Sequence, residues 1–208
     1  MSDKEIKMLW KALDLENKKV DMYRQSKLAL RMILLTGQRP GEVCGAMWNE
    51  ISLDKALWKI PSERSKNGEP HQIPLNSLAI EALNQAETLS GGKKYVFESK
   101  HKPGFPLKPN TLARALTRHW KEIGFPEKFV PHDLRRTLRT RLAELGVSDI
   151  VAERVLGHKL QGLLAVYNHY PYTDEMRDAL EKWNRKLQFL TGITPPDAGN
   201  CKVIQLRR

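Results

Sequence analysis

The sequence predicts an α+β fold, mostly α-helical, with a small three-stranded antiparallel sheet in its N-terminal third. Three observations lead there. Apolar residues recur at helical spacing along most of the 208 residues. Between residues 47 and 75 that pattern gives way to alternation broken by turn residues. No internal repeat or low-complexity linker divides the chain, and a chain of this length can fill one core without disulfides or a structural metal.

The elements follow in order. Ser2 to about Glu16 sets Ile6, Leu9, Trp10 and Leu13 on one helical face, with Ser2 and Glu5 placed as a capping box. A second helix spans about Asp21 to Leu35. Leu28, Leu30, Met32, Ile33, Leu34 and Leu35 make it apolar on most sides, as a buried central helix requires. The segment Thr36 to Gly41 breaks it, and Pro40 starts a short helix reaching about Ala46. Trp48, Ile51 and Leu53, then Leu57, Trp58 and Ile60, then Ile73 and Leu75 read as three strands. Asp54 and Asn67-Gly68 mark the breaks, and the second hairpin is expected to turn near Asn67-Gly68. Helical pattern returns from Leu78 to Leu89, and Tyr95-Val96-Phe97 reads as a short strand. Further helices are expected at about 110–123, 131–145, 148–156, 160–170 and 173–190. Residues 191–208 read as an arm, flexible or packed, that ends in the apolar Val203, Ile204 and Leu206. The reading is one domain over residues 1–190 followed by that arm.

Composition narrows the function classes. Hydrophobic residues make up 40% and charged residues 28%, too apolar a chain for intrinsic disorder. The two cysteines, Cys44 and Cys201, are far apart and offer neither a disulfide framework nor metal-ligand spacing, which suits a reducing compartment. No apolar run reaches the roughly 18 residues of a membrane span, and the first residues read as a helix start rather than a signal peptide. The net charge of +11 makes a polyanion the first partner to consider. Residues 100–160 hold 13 Lys and Arg against 6 Asp and Glu, so +7 of the +11 sits in under a third of the chain.

Several polar residues stand out against this background. Arg39 follows the buried helix in a Gly-flanked turn, where a plain helix-end arginine is the ordinary alternative. His132 and Arg135 share one face just inside a helix opened by Pro131, while Leu134, Leu138, Leu142 and Leu145 form its buried stripe. The first turn of that helix favours a phosphate, and Arg136, Arg139 and Arg141 thicken the cationic cluster; a solvated amphipathic helix explains the same pattern. Leu156-Gly157-His158 closes a helix, with Gly157 as its cap. Tyr167, Tyr170 and Tyr172 follow, and Lys66 sits at the hairpin tip. Singly, each is an ordinary residue. Together they can act on a phosphodiester. Two arginines can hold its non-bridging oxygens, histidines and a lysine can move protons, and a tyrosine can attack phosphorus. No carboxylate cluster suggests a Mg²⁺ site, and no Gly-rich nucleotide loop is present in the sequence.

The chain resembles the tyrosine recombinases, specifically the catalytic domain of phage-type and genomic-island integrases. The matching text is Thr-Gly-Gln-Arg-Pro-Gly-Glu-Val at 36–43, His-Asp-Leu-Arg-Arg-Thr at 132–137, Leu-Gly-His at 156–158, and Tyr167 nine residues after His158. Between them, Trp58 to Leu75 is similar to the family's lysine-bearing hairpin. The resemblance implies the mostly helical tyrosine recombinase catalytic fold and site-specific cleavage and rejoining of DNA through a 3′-phosphotyrosyl link, without metal, ATP or other cofactor. It implies that Arg39 and Arg135 clamp the phosphate, Lys66 protonates the 5′-oxygen leaving group, and His132 assists proton transfer. His158 would hydrogen-bond the scissile phosphate and Tyr167 would be the nucleophile. Glu42 would orient its neighbours. Arg64, two residues before Lys66, and Tyr170 and Tyr172 are rivals for two of those places.

The remaining basic residues Arg136, Arg139, Arg141 and Lys159 are candidates for the DNA backbone. The implied partners are double-stranded DNA at attachment sites, further copies of the chain up to a tetramer, and accessory DNA-bending and directionality factors. The implied place of action is the bacterial cytoplasm, at the nucleoid. Such integrases carry DNA-binding domains ahead of the catalytic one, which this chain is expected to lack. A type IB topoisomerase shares the chemistry, a non-catalytic DNA-binding module shares the charge pattern, and a metal-dependent nuclease is a more distant alternative.

Overall fold

A computed structural model describes residues 1–159, 168 and 170–194. The expected helix over 160–170 therefore falls almost wholly outside the described residues, as do Tyr167 and residues 195–208 of the arm. The first helix, α1 (Asp3–Ala12), starts at the expected cap: Ser2 and Glu5 form a reciprocal capping box. It ends four residues earlier than its apolar pattern suggests. Two Asx turns follow, at Asp14 and Asn17, whose side chains accept from the backbone N–H groups of Glu16 and Lys19.

Helix α2 (Arg24–Thr36) is the central post, buried from Gln25 to Thr36. It packs against α4 (Ser77–Ser90), α5 (Pro109–Ile123), α6 (Pro131–Glu144) and the long helix α8 (Thr173–Thr191). Each of its fully buried leucines contributes about 1.5–3 kcal/mol of transfer free energy. Two of its cations are buried as well. Lys27 donates at 2.8 Å to the carbonyls of Asp14 and Asn17, and Arg31 lies 4.8 Å over the Trp10 ring. Those contacts close the loop after α1, a use of α2 that its apolar pattern does not reveal.

Helix α3 (Pro40–Cys44) follows at once, with Pro40 as its first residue. The sheet has the expected three antiparallel strands in the order β1 (Ile51–Ser52), β2 (Leu57–Ile60), β3 (His71–Pro74). Trp58 pairs with Ile73 and Ile60 with His71, so β2 and β3 part at residues 61 and 70. The hairpin is therefore not a tight Asn67-Gly68 turn but a ten-residue loop, because Pro61 ends the ladder and its carbonyl accepts from Arg64 and Ser65. Residues 95–97 form no regular strand; Tyr95 makes a single bridge to Met47. Helices α4, α5, α6 and α7 (Asp149–Val155) and helix α8 lie within one or two residues of expectation. Among the described residues, no helix is long and apolar enough to cross a membrane.

Candidate active site

Helix α7 is short, and its last carbonyls have no partner within the helix. Four other parts of the chain pair the carbonyls of Val155 and of the two residues after it, Leu156 and Gly157. The Val155 carbonyl accepts from Gln38 (2.8 Å) and lies 3.2 Å from Nε2 of His71. The Leu156 carbonyl accepts from Arg135 at 2.8 Å, and the Gly157 carbonyl accepts from Asn67 at 2.6 Å. The end of one helix thus gathers the turn after α2, the loop between β2 and β3, strand β3 and helix α6. Three of those sequence regions carry predicted site residues.

Arg39 and Arg135 are held from opposite sides of this junction. Arg39 is the N-cap of α3; its backbone N–H and guanidinium both donate to the buried carboxylate of Glu42, at 3.0 and 3.1 Å. Arg135 is 3% exposed and donates to the carbonyls of Gly37 (2.6 Å) and Leu156. Burial, and then the neighbouring Arg39, lower its pKa to about 10, with Glu42 and Glu153 opposing. It stays charged at neutral pH, so two cations lie near each other, with the Glu42 carboxylate paired to Arg39. Gly37 makes the approach possible. Its φ is +70°, and a Cβ there would come within 2.5 Å of Leu138 and 2.8 Å of Leu156.

Lys66 and its rival Arg64 separate cleanly. Arg64 turns inward and donates to both Glu50 oxygens at 2.6 Å, while Trp58 donates to the same carboxylate at 3.1 Å. Lys66 faces solvent, its backbone N–H on Glu42 at 3.3 Å, and its ammonium has no hydrogen-bond or ion-pair partner among the described residues. The loop that carries it is fastened by Asn67 and by an ion pair of Glu69 with Lys159 at 2.9 Å.

His132 is exposed on the first turn of α6, its pKa lowered by burial and then by Arg135 and Arg136. His158 presents Nε2 to Arg135 at 2.7 Å and Nδ1 to Glu153. Tyr167 lies outside the described residues. Of its rivals, the Tyr172 hydroxyl accepts from Asn168 at 2.7 Å, and Tyr170 is exposed, its pKa raised by the neighbouring Glu175 carboxylate. A raised pKa weakens a nucleophile near neutrality.

The backbone candidates differ. Arg136 is exposed and pairs with Asp133 at 3.1 Å. Arg139 is committed to Glu153 and Asp149, which raise its pKa, and Arg141 to Asp3, Glu144 and the Met1 carbonyl. Arg141 thus serves the docking of the N-terminal helix.

Four residues that the motif reading passed over complete the junction: Gln38, Asn67, His71 and Glu153. His71, pressed on Gly157, has its pKa lowered by burial first, with the Val155 carbonyl opposing. Only Glu153 had a visible signal, one helical turn and a cap before His158. Between the loop and the Gly157-His158 turn lies a recess of about 60 Å³. A larger cavity of about 820 Å³, lined by Trp10, Arg31, Gln85 and Leu190 among others, holds none of these residues. Among the described residues, no group of three or more His, Cys, Asp and Glu is placed to hold a metal ion.

Comparison with known proteins fits this arrangement. Residues 1–173 match the profile of the phage integrase family. The chain is 34% identical over 151 residues to prophage integrase IntA of Escherichia coli K12, covering 72% of this chain and 36% of that one. It is 35% identical over 153 residues to the integrase of Escherichia phage HK022, covering 68% and 40%. The chain thus spans well under half the length of these curated relatives. A lambda integrase dimer bound to a COC′ core site superposes with a TM-score of 0.60 at 26% identity, over 77% of this chain and 57% of that one.

Proposed function

The chain belongs to the phage integrase family of tyrosine recombinases, and from that premise we propose that it cleaves and rejoins DNA strands at specific sites. One observation carries the reading: Arg135 is buried near Arg39 with its guanidinium held by the backbone carbonyls of Gly37 and Leu156 rather than by a carboxylate, which leaves two neighbouring cations in conflict. A phosphodiester between the two guanidiniums removes that conflict, and their donors meet its non-bridging oxygens where charge grows in the transition state. The Tyr167 hydroxyl attacks phosphorus and forms a 3′-phosphotyrosyl bond. His132 takes the phenolic proton, Lys66 delivers one to the departing 5′-oxygen, and His158 hydrogen-bonds the phosphate. The phosphotyrosyl ester keeps the bond energy, so the 5′-hydroxyl of a partner strand can attack it and release the tyrosine through a Holliday junction. No cofactor enters these steps.

Residues 1–190 form the catalytic domain in this reading, and residues 191–208 an arm. Its partners are double-stranded DNA and further copies of the chain, four on a recombining pair of sites, with DNA-bending and directionality factors as accessories. It acts on bacterial DNA in the cytoplasm. The raised pKa of Tyr170 and the Asn168 amide on the Tyr172 oxygen favour Tyr167 as nucleophile.

The test is a pool of nicked duplexes with randomised sequence flanking the nick. Wild-type protein is expected to leave denaturant-resistant protein–DNA adducts enriched in one sequence, in EDTA as in its absence. Tyr167→Phe is expected to bind DNA and leave none. Adducts from Tyr167→Phe would refute the nucleophile, adducts with no sequence enrichment would point to a topoisomerase, and DNA binding without adducts would leave only a binding module.

A further inference from the structure

Helix α7 ends in a Schellman motif: the His158 N–H donates to the Glu153 carbonyl (2.9 Å) and the Gly157 N–H to the Arg154 carbonyl (2.9 Å), with Gly157 at φ +62°. That wrapping brings the side chains five residues apart together, a place where two apolar residues usually meet. Here they are a carboxylate and an imidazole, and Nδ1 of His158 lies against Oε2 of Glu153. The other carboxylate oxygen accepts from Arg139 at 2.8 Å, and Arg139 is itself steadied by Asp149 at 2.7 Å. Burial works to raise the Glu153 pKa, but the hydrogen bonds from His158 and Arg139 outweigh it and keep the group an acceptor.

A carboxylate on Nδ1 requires a proton there. The guanidinium of Arg135 at 2.7 Å from Nε2 requires a lone pair on that nitrogen, because an arginine can only donate. Both contacts are satisfied by one form of the ring: neutral, with the proton on Nδ1. Rotating the ring by 180° would break both.

We propose that Glu153, held by Arg139, is a positioning residue that fixes the His158 ring with Nδ1–H turned away and Nε2 turned to Arg135, the nitrogen that, once it carries a proton, donates to the scissile phosphate while Glu153 still holds Nδ1–H. This deepens the strand-cleavage reading and rests on it for its consequence, though not for its geometry. Arg139 then acts through Glu153 rather than by gripping DNA. The arrangement is the one by which outer carboxylates orient metal-binding and catalytic histidines.

Two measurements test it and fail separately. Ring ¹⁵N chemical shifts of His158, read in the DNA-free full chain, report the tautomer with no reliance on activity. The wild type is expected to show the Nδ1–H form, Glu153→Gln to keep it through its amide oxygen, and Glu153→Ala to move toward the mixture of a free imidazole. Adduct formation on the selected duplex is expected to fall about 10- to 100-fold in Glu153→Ala at unchanged DNA affinity, and to recover largely in Glu153→Gln. An Nε2–H wild-type ring would overturn the proposal. So would a Glu153→Ala protein with wild-type shifts, or one whose lost cleavage follows lost DNA affinity. Absence of adducts from the wild type would sink the cleavage reading instead, while the shifts would still decide what Glu153 does to the ring.

Discussion

Replacing Gly37 by alanine puts the packing of the arginine junction to a quantitative test. Two costs add. A side chain at φ +70° costs roughly 1–2 kcal/mol of left-handed strain. The new Cβ would sit 2.5 Å from one Leu138 methyl and 2.8 Å from one Leu156 methyl, both fully or nearly fully buried, and such overpacking costs about 1–3 kcal/mol. The total is about 2–5 kcal/mol, which for a domain of this size lowers Tm by roughly 4–20 °C. Gly146→Ala is the matched control, since Gly146 has φ +72° and nothing within 4 Å of its added Cβ. It bears the strain alone, partly offset by a less flexible unfolded chain. Urea and thermal unfolding of both variants isolate the clash as their difference, about 1–3 kcal/mol. Because the Gly37 carbonyl holds Arg135, Gly37→Ala is also expected to lose cleavage at temperatures where it remains folded. If the two variants unfold together, Leu138 and Leu156 yield freely, and the close approach of α6 and α7 to this turn is not what demands glycine.

Other outcomes follow from the same structure. Arg64→Ala strands the Glu50 carboxylate, 5% exposed, and is expected to cost about 3 kcal/mol by urea unfolding; Arg64→Lys recovers only part, since an ammonium cannot meet both oxygens as the fork does. His71 has a folded-state pKa below its ordinary value, so the unfolded chain binds the proton first. Its contribution is complete above the unfolded value and is lost as pH falls from about 6.5 toward the folded value; His71→Gln is expected to flatten stability between pH 7 and 5. DNA affinity is expected to fall steeply with salt, and Arg136→Ala to reduce the log–log slope by about 0.9. Arg141→Ala, by contrast, is expected to leave the slope unchanged and to destabilise the docking of α1.

Much of this protein is legible without a structure, for short-range reasons. Caps, prolines and apolar spacing are local, so the Ser2 box, Pro40 and Pro131 mark helix starts, and apolar residues on most sides mark α2 as central. The residue types suited to a phosphodiester stand at Arg39, Lys66, His132, Arg135, His158 and Tyr167, and their order along the chain carries the family. What the sequence does not contain is where each polar group finds its partner. The hairpin loop is long because Pro61 closes the ladder, and Arg64 is turned inward because the buried Glu50 carboxylate, held by Trp58, pairs with it. Arg139 is spent on Glu153, and Arg141 on α1. Gln38, Asn67, His71 and Arg135, up to 117 residues from their acceptors, meet on the last carbonyls of one seven-residue helix. The glycine-closed end of α7 satisfies the Glu153 and Arg154 carbonyls locally and leaves those of Val155, Leu156 and Gly157 without a local donor, so the sequence determined that α7 would end in unmet acceptors. Which side chains answer them depends on how α2, α6 and the sheet pack, and only the tertiary structure decided that.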